Sequence, residues 1–428
     1  MPCCHPVPYV ESVQQPMTPE SRLKLLRIAG LGFLGALIMF GFAIARPATE
    51  SLFLAAHTSR ALPIVWFLVA ATVLVAVIVY NRFVARNDLL DLLGRTSAIS
   101  AAALAALILL KDAGMPGSEY ALYIWKDVYI VIVVEIYYSY ANSVFPIHTA
   151  RWVYGLFGAL GASGGVAGNL LVGSLASAYG TGAALWAVPP TLLLIWLFCL
   201  PFKRSAGIGA PLAKAYKHGD VRETVRVIRK SSYLALVLLL IAVVQVVITL
   251  VDYQYNSVME QAYPAMDYRT GIIGKVYAAT DVASFILYVL TGPILRLAGA
   301  PIVIVSIPFV LATGLTGFLV YPRFLVMAAV KVASKSFDYT LFKISKEILY
   351  IPLSYAEKTM GKAAIDMFTY RVGKGGASLI LMGLVALSAV KLAWALTFVL
   401  IVVWIAIALA VVRRFRKKVS REREMTTA

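Results

Sequence analysis

Apolar stretches of about 20 residues recur along the entire chain and are separated by short polar connections. A helix of 20 residues is roughly 30 Å long, which matches the hydrocarbon core of a bilayer. The 428-residue sequence is 61% hydrophobic and only 14% charged, whereas soluble domains are about 45–50% apolar and about 25% charged. The pattern therefore predicts a polytopic helical membrane protein and excludes a soluble enzyme and a disordered chain.

The positions of these stretches predict twelve membrane-spanning helices. They lie at Leu25–Arg46, Ala61–Tyr80, Thr96–Leu110, Ala121–Tyr140, Val153–Ala178, Thr181–Leu200, Ser232–Val251, Ile272–Leu297, Pro301–Val320, Phe324–Phe342, Ala363–Leu387 and Leu392–Val412. The third stretch is short, and the first has room to continue as far as Ala56.

One long polar segment, Pro201–Lys230, divides six predicted spans from six. Two six-helix bundles around a central cavity are the usual arrangement for that layout in membrane transporters. We therefore predict an all-α fold of the major-facilitator type. Its parts are a tail at 1–24, an N-terminal bundle at 25–200, a basic linker at 201–231, a C-terminal bundle at 232–412 and a basic tail at 413–428.

The formal net charge of +18 is unevenly distributed along the chain. Most Lys and Arg residues outside the predicted helices fall in the two tails and in every second connection, on one side of an even-span protein. The opposite side carries Arg60, Lys111, Arg269, Arg323 and Lys391. By the positive-inside rule we expect both termini to be cytoplasmic, in a plasma (bacterial inner) membrane. The basic character is a signal of topology and does not indicate nucleic-acid binding.

Charged side chains also lie inside the predicted spans or at their ends. The cations are Arg46, Lys126, Lys275, Lys331, Lys335, Arg371 and Lys374, and the acids are Glu50, Asp127, Glu135, Asp252, Asp281, Asp338 and Asp366. A charge at mid-bilayer costs at least about 2.5–3.5 kcal/mol. We therefore expect these side chains to face a cavity or to pair with one another.

Helical spacing supports a shared polar pathway, because Lys331, Lys335 and Asp338 fall on one face of their helix. Cations in a cavity of low dielectric attract phosphate or carboxylate groups, so a pathway of this kind suits an organic anion. The alternative is that the charges form interhelical salt bridges that only hold the bundles together.

No catalytic or metal-binding pattern is evident in the sequence. The histidines are scattered, and Gly373-Lys374-Gly375 lacks the upstream Gly and the Ser or Thr that a Walker A loop needs. Cys3, Cys4 and Cys199 give no disulfide framework. We therefore expect no enzyme, no cofactor and no metal, and we expect transport driven by a gradient or by exchange.

An ordered set of short motifs runs through the second half of the chain. Phe337–Phe342 reads FDYTLF, Ser345–Leu353 reads SKEILYIPL, Gly361–Asp366 reads GKAAID and Gly373–Gly376 reads GKGG. This stretch resembles the nucleotide (ATP/ADP) translocase family of plastids and intracellular bacteria. The resemblance covers the second half well and the first half thinly.

The resemblance implies a secondary transporter that moves a nucleotide or related phosphorylated anion by alternating access, through ATP/ADP-type exchange or proton symport. Expected partners are this small anion, the lipid bilayer and protons. Residues expected to contact the substrate are Arg46, Glu135, Asp252, Asn256, Lys346, Arg371 and Lys374. Residues expected to couple or pair charges are Glu50, Asp127, Asp281, Lys331, Lys335, Asp338 and Asp366.

Two positions depart from the family pattern and keep other functions open. Thr49 stands where the family has a Lys, and Asn256 stands where a Lys is usual in the seventh helix. A triphosphate is harder to neutralise with fewer cations. The alternative is therefore a carrier of the same fold for another solute, such as a carboxylate metabolite or a siderophore. A third hypothesis is a membrane scaffold that docks partners on its basic linker and tail.

Overall fold

The computed structural model of the chain describes residues 19–84, 87–145, 147–206, 226, 228–354, 357 and 370–427. All regular secondary structure within these ranges is helical. The N-terminal half, up to residue 206, contains α1 (Pro19–His57), α2 (Leu62–Val84), α3 (Leu89–Asp112), α4 (Ser118–Val144), α5 (Ile147–Tyr179) and α6 (Val188–Ala206). A 3₁₀ turn at Ser59–Ala61 precedes α2, and short helical turns at Thr181–Ala184 and Leu185–Ala187 lead into α6.

The C-terminal half, from residue 228, contains α7 (Ser232–Ala262), α8 (Met266–Val320), α9 (Phe324–Phe337), α10 (Lys343–Leu349), α11 (Tyr370–Ala386) and α12 (Leu392–Thr427). A π-helical turn at Asp338–Phe342 joins α9 to α10. The basic segment at 207–225 lies outside the described residues, as does most of 355–369.

Local sequence explains several helix boundaries. The Asp88 side chain caps α3 by accepting hydrogen bonds from the backbone N–H groups of Leu90 and Asp91. Ser231 caps α7 in the same way. Gly299 interrupts α8 with φ 77° and ψ 153°, a left-handed conformation that glycine adopts without steric cost. That break falls between the predicted eighth and ninth spans.

Eight segments of the described chain are long and apolar enough to cross a membrane. They are Ser21–His57, Ser59–Tyr80, Leu89–Asp112, Val153–Tyr179, Thr181–Ala206, Ser232–Ala262, Met266–Val320 and Leu392–Ser420. The predicted count of twelve is therefore not reproduced by length and hydropathy alone. Met266–Val320 contains 55 residues and the break at Gly299, so it holds two predicted spans. Among the predicted spans that are missing from the eight segments, the fourth, in α4, contains charged residues, and the tenth is divided at the π-helical turn.

Two expectations about connecting segments are wrong. Arg269 was expected in a loop, but α8 begins at Met266, and the Arg269 side chain is buried. Lys343 and Lys346 were also expected in a connection, but they lie in α10, because the tenth helix continues through the π-helical turn. In both cases the helix extends beyond the apolar stretch that defined the predicted span.

Each half has its own apolar core. The first core includes Leu34, Leu104 and Ile136, and the second includes Val244, Ile304 and Trp404. A third cluster joins α2 to α7, α11 and α12 across the halves. Large apolar side chains such as Ile99 and Val289 remain exposed on the outer surface, as expected of helices that face lipid.

Glycines allow α5 to lie close to α1 and α8. A Cβ atom on Gly164 would stand 2.2 Å from the Ala36 carbonyl oxygen of α1. On the other side, a Cβ on Gly274 of α8 would stand 2.3 Å from the Asn169 carbonyl oxygen of α5. These contacts place α5 between the halves and bring polar residues of α1 and α8 together.

Candidate functional site

The C-terminal part of α1 brings a charged pair into contact with α8. Arg46 and Glu50 are one turn apart, and their side chains approach to 3.4 Å. The Tyr277 hydroxyl of α8 donates a hydrogen bond of 2.8 Å to Glu50. The Arg46 guanidinium lies over the Tyr277 ring, 3.7 Å from its centre. Tyr277 therefore contacts both members of the pair, by a hydrogen bond and by a cation–π interaction.

Lys126 and Asp127 of α4 complete this first cluster, which consists of Arg46, Glu50, Lys126 and Asp127. The Lys126 ammonium lies 3.1 Å from Asp127 and 3.9 Å from Glu50. It also lies over the Tyr123 ring, 3.8 Å from its centre. The formal charges of the two cations and two acids in this cluster sum to zero. Lys126 is almost completely buried.

A second cluster lies in the C-terminal half and consists of Asp252 of α7 with Lys331 and Lys335 of α9. Each lysine ammonium lies 2.7 Å from one of the two Asp252 carboxylate oxygens. Lys331 also approaches the rings of Tyr255 and Tyr277. Two buried ammonium groups therefore hold a single half-buried carboxylate, which leaves these three groups with a net positive charge.

Tyr277 stands between the two clusters. Its ring centre is 3.7 Å from the Arg46 guanidinium and 5.7 Å from the Lys331 ammonium. The ring therefore contacts one cation of each cluster without adding a charge. Of the predicted residues, Arg46, Glu50 and Lys331 contact this tyrosine directly, and Asp252 and Lys335 are joined to it through Lys331.

Other predicted residues surround these clusters at a greater distance. Lys374 of α11 lies within electrostatic range of Asp127, Lys126 and Lys335. Arg371 lies within electrostatic range of Glu135, whose side chain is exposed. These cations are half-buried, in contrast to Lys126 and Lys331.

Asp338 accepts a hydrogen bond of 3.4 Å from the Gln245 amide, and it lies within electrostatic range of Lys335 and Lys346. Asp338 and Gln245 are both buried, whereas Lys346 is half-buried. Asp366 lies outside the described residues.

Asp281 lies outside the ion pairs of both clusters, although it is within electrostatic range of Arg46. The Asn169 amide of α5 donates a hydrogen bond of 2.9 Å to its carboxylate, and the close approach of Gly165 leaves little space beside it. Within the described ranges, no Lys or Arg side chain lies within 4.0 Å of this carboxylate. Asp281 is thus a carboxylate at the boundary of the halves that is held by an amide.

Thr49 and Asn256 use their polar groups within their own helices. The buried Thr49 hydroxyl donates to the Ala45 carbonyl at 2.8 Å, and the Asn256 amide donates to the Asp252 carbonyl at 2.8 Å. Neither side chain supplies the positive charge that the resemblance associates with its position. Asn256 instead supports the backbone of the residue that holds the two lysines.

Polar contacts join the halves near the end of α1 and the start of α8. Arg269 donates to the Ser51 carbonyl at 2.8 Å and to the Ser51 hydroxyl at 3.2 Å. Asp267 accepts two hydrogen bonds of 2.7 Å from Thr181. At the opposite end, the contact of Arg27 with the Ala206 carbonyl lies within one half.

Sequence reasoning did not assign a role to Lys126, Tyr277 or Asn169. Lys126 was identified as an intramembrane cation, and its position next to Asp127 was an available signal. Tyr277 shares a helical face with Asp281, but only the packing of α1 against α8 reveals its contact with Glu50. In the described part of the chain, no cluster of three or more His, Cys, Asp or Glu side chains is placed to hold a metal ion.

The solved structures that resemble this one are membrane transporters. The nucleoside transporter NupG superposes with a TM-score of 0.66 over 92% of this chain and 99% of its own, at 11% identity. A D-xylose-proton symporter gives a TM-score of 0.66 over 91% of this chain and 97% of its own, at 13% identity. These similarities establish the major-facilitator type of fold.

Sequence comparisons identify more specific relatives. ADP,ATP carrier protein 1 of Chlamydia muridarum is 29% identical in an alignment of 360 residues that covers 72% of this chain and 67% of the carrier. A plastidic ATP/ADP-transporter of Solanum tuberosum is 25% identical in an alignment of 288 residues that covers 58% of this chain but only 45% of the transporter. The family model described as TLC ATP/ADP transporter matches residues 210–324 and 320–418. The second half of the chain is therefore similar to the TLC ATP/ADP transporter family, and most of its length is similar to ADP,ATP carriers.

Proposed function

We propose that this multi-pass membrane protein is a secondary transporter that moves a nucleotide or related phosphorylated organic anion by alternating access. The proposal draws on the family relationship and on one observation above all. Lys331 and Lys335 together hold the carboxylate of Asp252, with one ammonium group 2.7 Å from each oxygen. A phosphate group presents similar oxygens and more negative charge.

In this proposal Asp252 acts as an internal substitute for the substrate anion. Two buried ammonium groups without a counter-charge would be costly, and Asp252 stabilises them while the site is empty. An entering phosphate displaces the carboxylate and takes over both lysines. Arg46, Arg371, Lys346 and Lys374 then contact the remaining negative charge. Glu135 and Asn256 position these groups, and Glu50, Asp127 and Asp338 balance the cations.

The displaced Asp252 carboxylate must find another partner or take up a proton. An acid without a partner in a low-dielectric site is unstable as an anion. This requirement provides a physical route to either mode of energy coupling. Exchange follows when a second anion must replace the first, and proton symport follows when a proton neutralises an acid such as Asp252, Asp281 or Asp366.

Alternating access requires that the halves separate at one end while they close at the other. The contacts of Arg269 with Ser51 and of Thr181 with Asp267 join the halves near the end of α1. We propose that these contacts break when that end opens. The cationic tails support cytoplasmic termini in a bacterial inner membrane, so the joined end would be the outer one.

A carrier of the same fold for a carboxylate metabolite or a siderophore is the second candidate. It is favoured by Thr49 and Asn256, whose polar groups bond within their own helices and add no cation. A substrate with fewer negative charges than a triphosphate needs fewer cations to neutralise it.

Uptake by the purified protein in proteoliposomes tests the proposal. Labelled ATP, ADP, a nucleoside monophosphate and a dicarboxylate are offered, each with and without internal nucleotide and a proton gradient. We expect nucleotide uptake that internal nucleotide or the gradient stimulates, and that Lys331→Gln and Lys335→Gln abolish. Lys391→Gln, which alters an exposed lysine outside the clusters, is the matched control. Uptake of dicarboxylate alone would establish the second candidate, and nucleotide uptake unaffected by both lysine variants would reject the assigned site.

A further inference from the structure

A groove of about 940 Å³ runs along the outside of the C-terminal half, between α8 and α9. It is separate from both charge clusters, and most of its lining is apolar. The lining runs from Ile272 to Leu287 on α8, which corresponds to roughly 22 Å of helix. One leaflet contributes about 15 Å of hydrocarbon, so the groove is long enough to hold an acyl chain over the full depth of that leaflet.

Small side chains create the groove. Ala279 and Ala283 line it from α8, and Ala329 and Ala333 line it from α9. Alanine fills little of the space between two helices whose other side chains keep them apart. The result is an apolar channel on a membrane protein, where the surrounding solvent is lipid.

Two cations line the same groove. Lys275 projects from α8 and Arg323 precedes α9, and both side chains are exposed. Within the described ranges, neither has an Asp or Glu carboxylate within 4.0 Å. A lysine without a counter-charge on a helix face toward lipid is costly unless an anion or water reaches it. The groove therefore combines an apolar path with unneutralised positive charge.

The N-terminal half provides an internal comparison. A smaller groove of about 450 Å³ lies among α2, α3 and α4. Residues such as Thr72, Trp125 and Tyr129 line it, and no charged residue does. The cations thus distinguish the α8–α9 groove from this second groove of the described residues.

We propose that the α8–α9 groove binds an anionic phospholipid. Its phosphate lies between Lys275 and Arg323, and an acyl chain lies along Ala279 and Ala283. The positive charge selects an anionic headgroup over a zwitterionic one, and the alanines provide room for the chain. This site is independent of the transported solute, so it stands whether or not the proposed transport activity does.

Native mass spectrometry of the full-length protein tests the site. The protein is purified in detergent with equal amounts of phosphatidylglycerol and phosphatidylcholine, and the bound lipid is counted. We expect the wild type to retain phosphatidylglycerol preferentially. The preference should fall by roughly fivefold for each of Lys275→Gln and Arg323→Gln, and further in the double variant. Lys391→Gln, an exposed lysine outside the groove, should leave it unchanged.

A second variant keeps the charges and fills the apolar path. Ala279→Phe places a ring in the groove from an exposed helix position, so the fold should tolerate it. We expect it to reduce retention of both lipids, while Lys275→Arg should retain the preference for phosphatidylglycerol. Equal retention of the two lipids by the wild type, or equal losses in Lys391→Gln and Lys275→Gln, would overturn the proposal.

Discussion

The Tyr277 hydroxyl of α8 donates a 2.8 Å hydrogen bond to Glu50 of α1, and so joins the two halves between the charge clusters. The same ring lies against the guanidinium of Arg46, 3.7 Å from its centre. One side chain from the C-terminal half therefore contacts an acid and a base of the N-terminal half. Any motion that separates α1 from α8 must break the hydrogen bond and the ring contact together.

Tyr277→Phe is expected to disfavour the conformation seen here without removing the ring contact. The lost hydrogen bond to a charged acceptor is worth about 1.5–3 kcal/mol, which corresponds to a population shift of roughly tenfold or more. Distances between spin labels on α1 and α8 measure that shift. The matched control is Tyr288→Phe, because the Tyr288 hydroxyl donates to the Tyr339 carbonyl within one half. Equal shifts in both variants would contradict the assignment.

Asp252→Asn is expected to strengthen anion binding and to slow transport. The variant leaves Lys331 and Lys335 without a carboxylate, so a phosphorylated anion no longer competes with one and should bind more tightly. Release should slow for the same reason, and net uptake should fall by about tenfold or more, since removing one partner of a buried ion pair costs about 3–5 kcal/mol and about 1.4 kcal/mol corresponds to a factor of ten. Equilibrium binding and initial uptake rates are measured in the same preparation.

The control for this prediction is an acid in an ion pair outside the clusters. Asp91→Asn removes the partner of Lys203, whose ammonium lies 2.5 Å from the Asp91 carboxylate. We expect it to change neither binding nor uptake substantially. Weaker anion binding in Asp252→Asn would show that the carboxylate orients the lysines and does not compete with the substrate.

Arg269→Gln is expected to loosen the joined end of the halves. The buried guanidinium donates to both oxygens of Ser51, and its removal leaves a buried carbonyl with a weaker partner. The loss of about 1.5–3 kcal/mol should increase opening at that end. A cysteine at position 59, with the native cysteines replaced, reports opening through its reaction with an impermeant maleimide.

The matched control for this measurement is Arg60→Gln, which changes an exposed cation near the same end. It should leave the labelling rate of the cysteine at that of the parent protein. Labelling that is equally fast in Arg269→Gln and in the parent would mean that the Ser51 contact does not hold this end closed.

The helical periodicity of the charges predicted which of the charged side chains share a helix face. Lys331 and Lys335 are one turn apart, so their common face follows from sequence spacing alone. That face meets Asp252 because α7 packs beside α9, and this neighbour relationship is not encoded in either local pattern. Glu50 and Tyr277 are separated by 227 residues and meet only through the packing of α1 and α8.

The hydropathy pattern located the spans but misplaced some of their ends. It placed Lys346 in a connection, because a helix that leaves the hydrocarbon can carry charged residues and still remain a helix. The chain continues through the π-helical turn at Asp338–Phe342 into α10. Arg269 was misplaced for a related reason: its charge suggested solvent, yet oxygens of Ser51 provide its hydrogen-bond partners.

The turn after α10 is expected to show acid-dependent stability. Although partial burial opposes it, hydrogen bonds from Ser231 and Ser354 and the charge of Lys418 hold the pKa of the Glu357 carboxyl below its ordinary value. A lowered pKa contributes stability that is present above the ordinary value of about 4.3 and is lost as pH falls through the folded value. Glu357→Gln should therefore lower Tm at neutral pH, and the difference from wild type should shrink in acid.

Lys418→Gln provides the reciprocal test of this contact, since its ammonium lies 3.6 Å from Glu357. Its effect on Tm should also diminish in acid, and the two substitutions together should cost less than the sum of their separate effects. A pH-independent difference between Glu357→Gln and wild type would mean that packing, and not the charge, accounts for the effect.

Asp281 is expected to carry the proton if transport is coupled to one. Its carboxylate lies at the boundary of the halves, accepts the Asn169 amide at 2.9 Å, and has no Lys or Arg within 4.0 Å in the described ranges. Arg46 also lies within electrostatic range of it. When the halves move and both the amide and Arg46 withdraw, protonation neutralises the carboxylate. Asp281→Asn should therefore retain exchange but lose stimulation by a proton gradient, whereas Asp91→Asn, which alters an acid outside the clusters and away from the joined end, should retain both. Undiminished stimulation in Asp281→Asn would place the coupling acid elsewhere, with Asp252 the next to test, because an entering anion frees its carboxylate from both lysines.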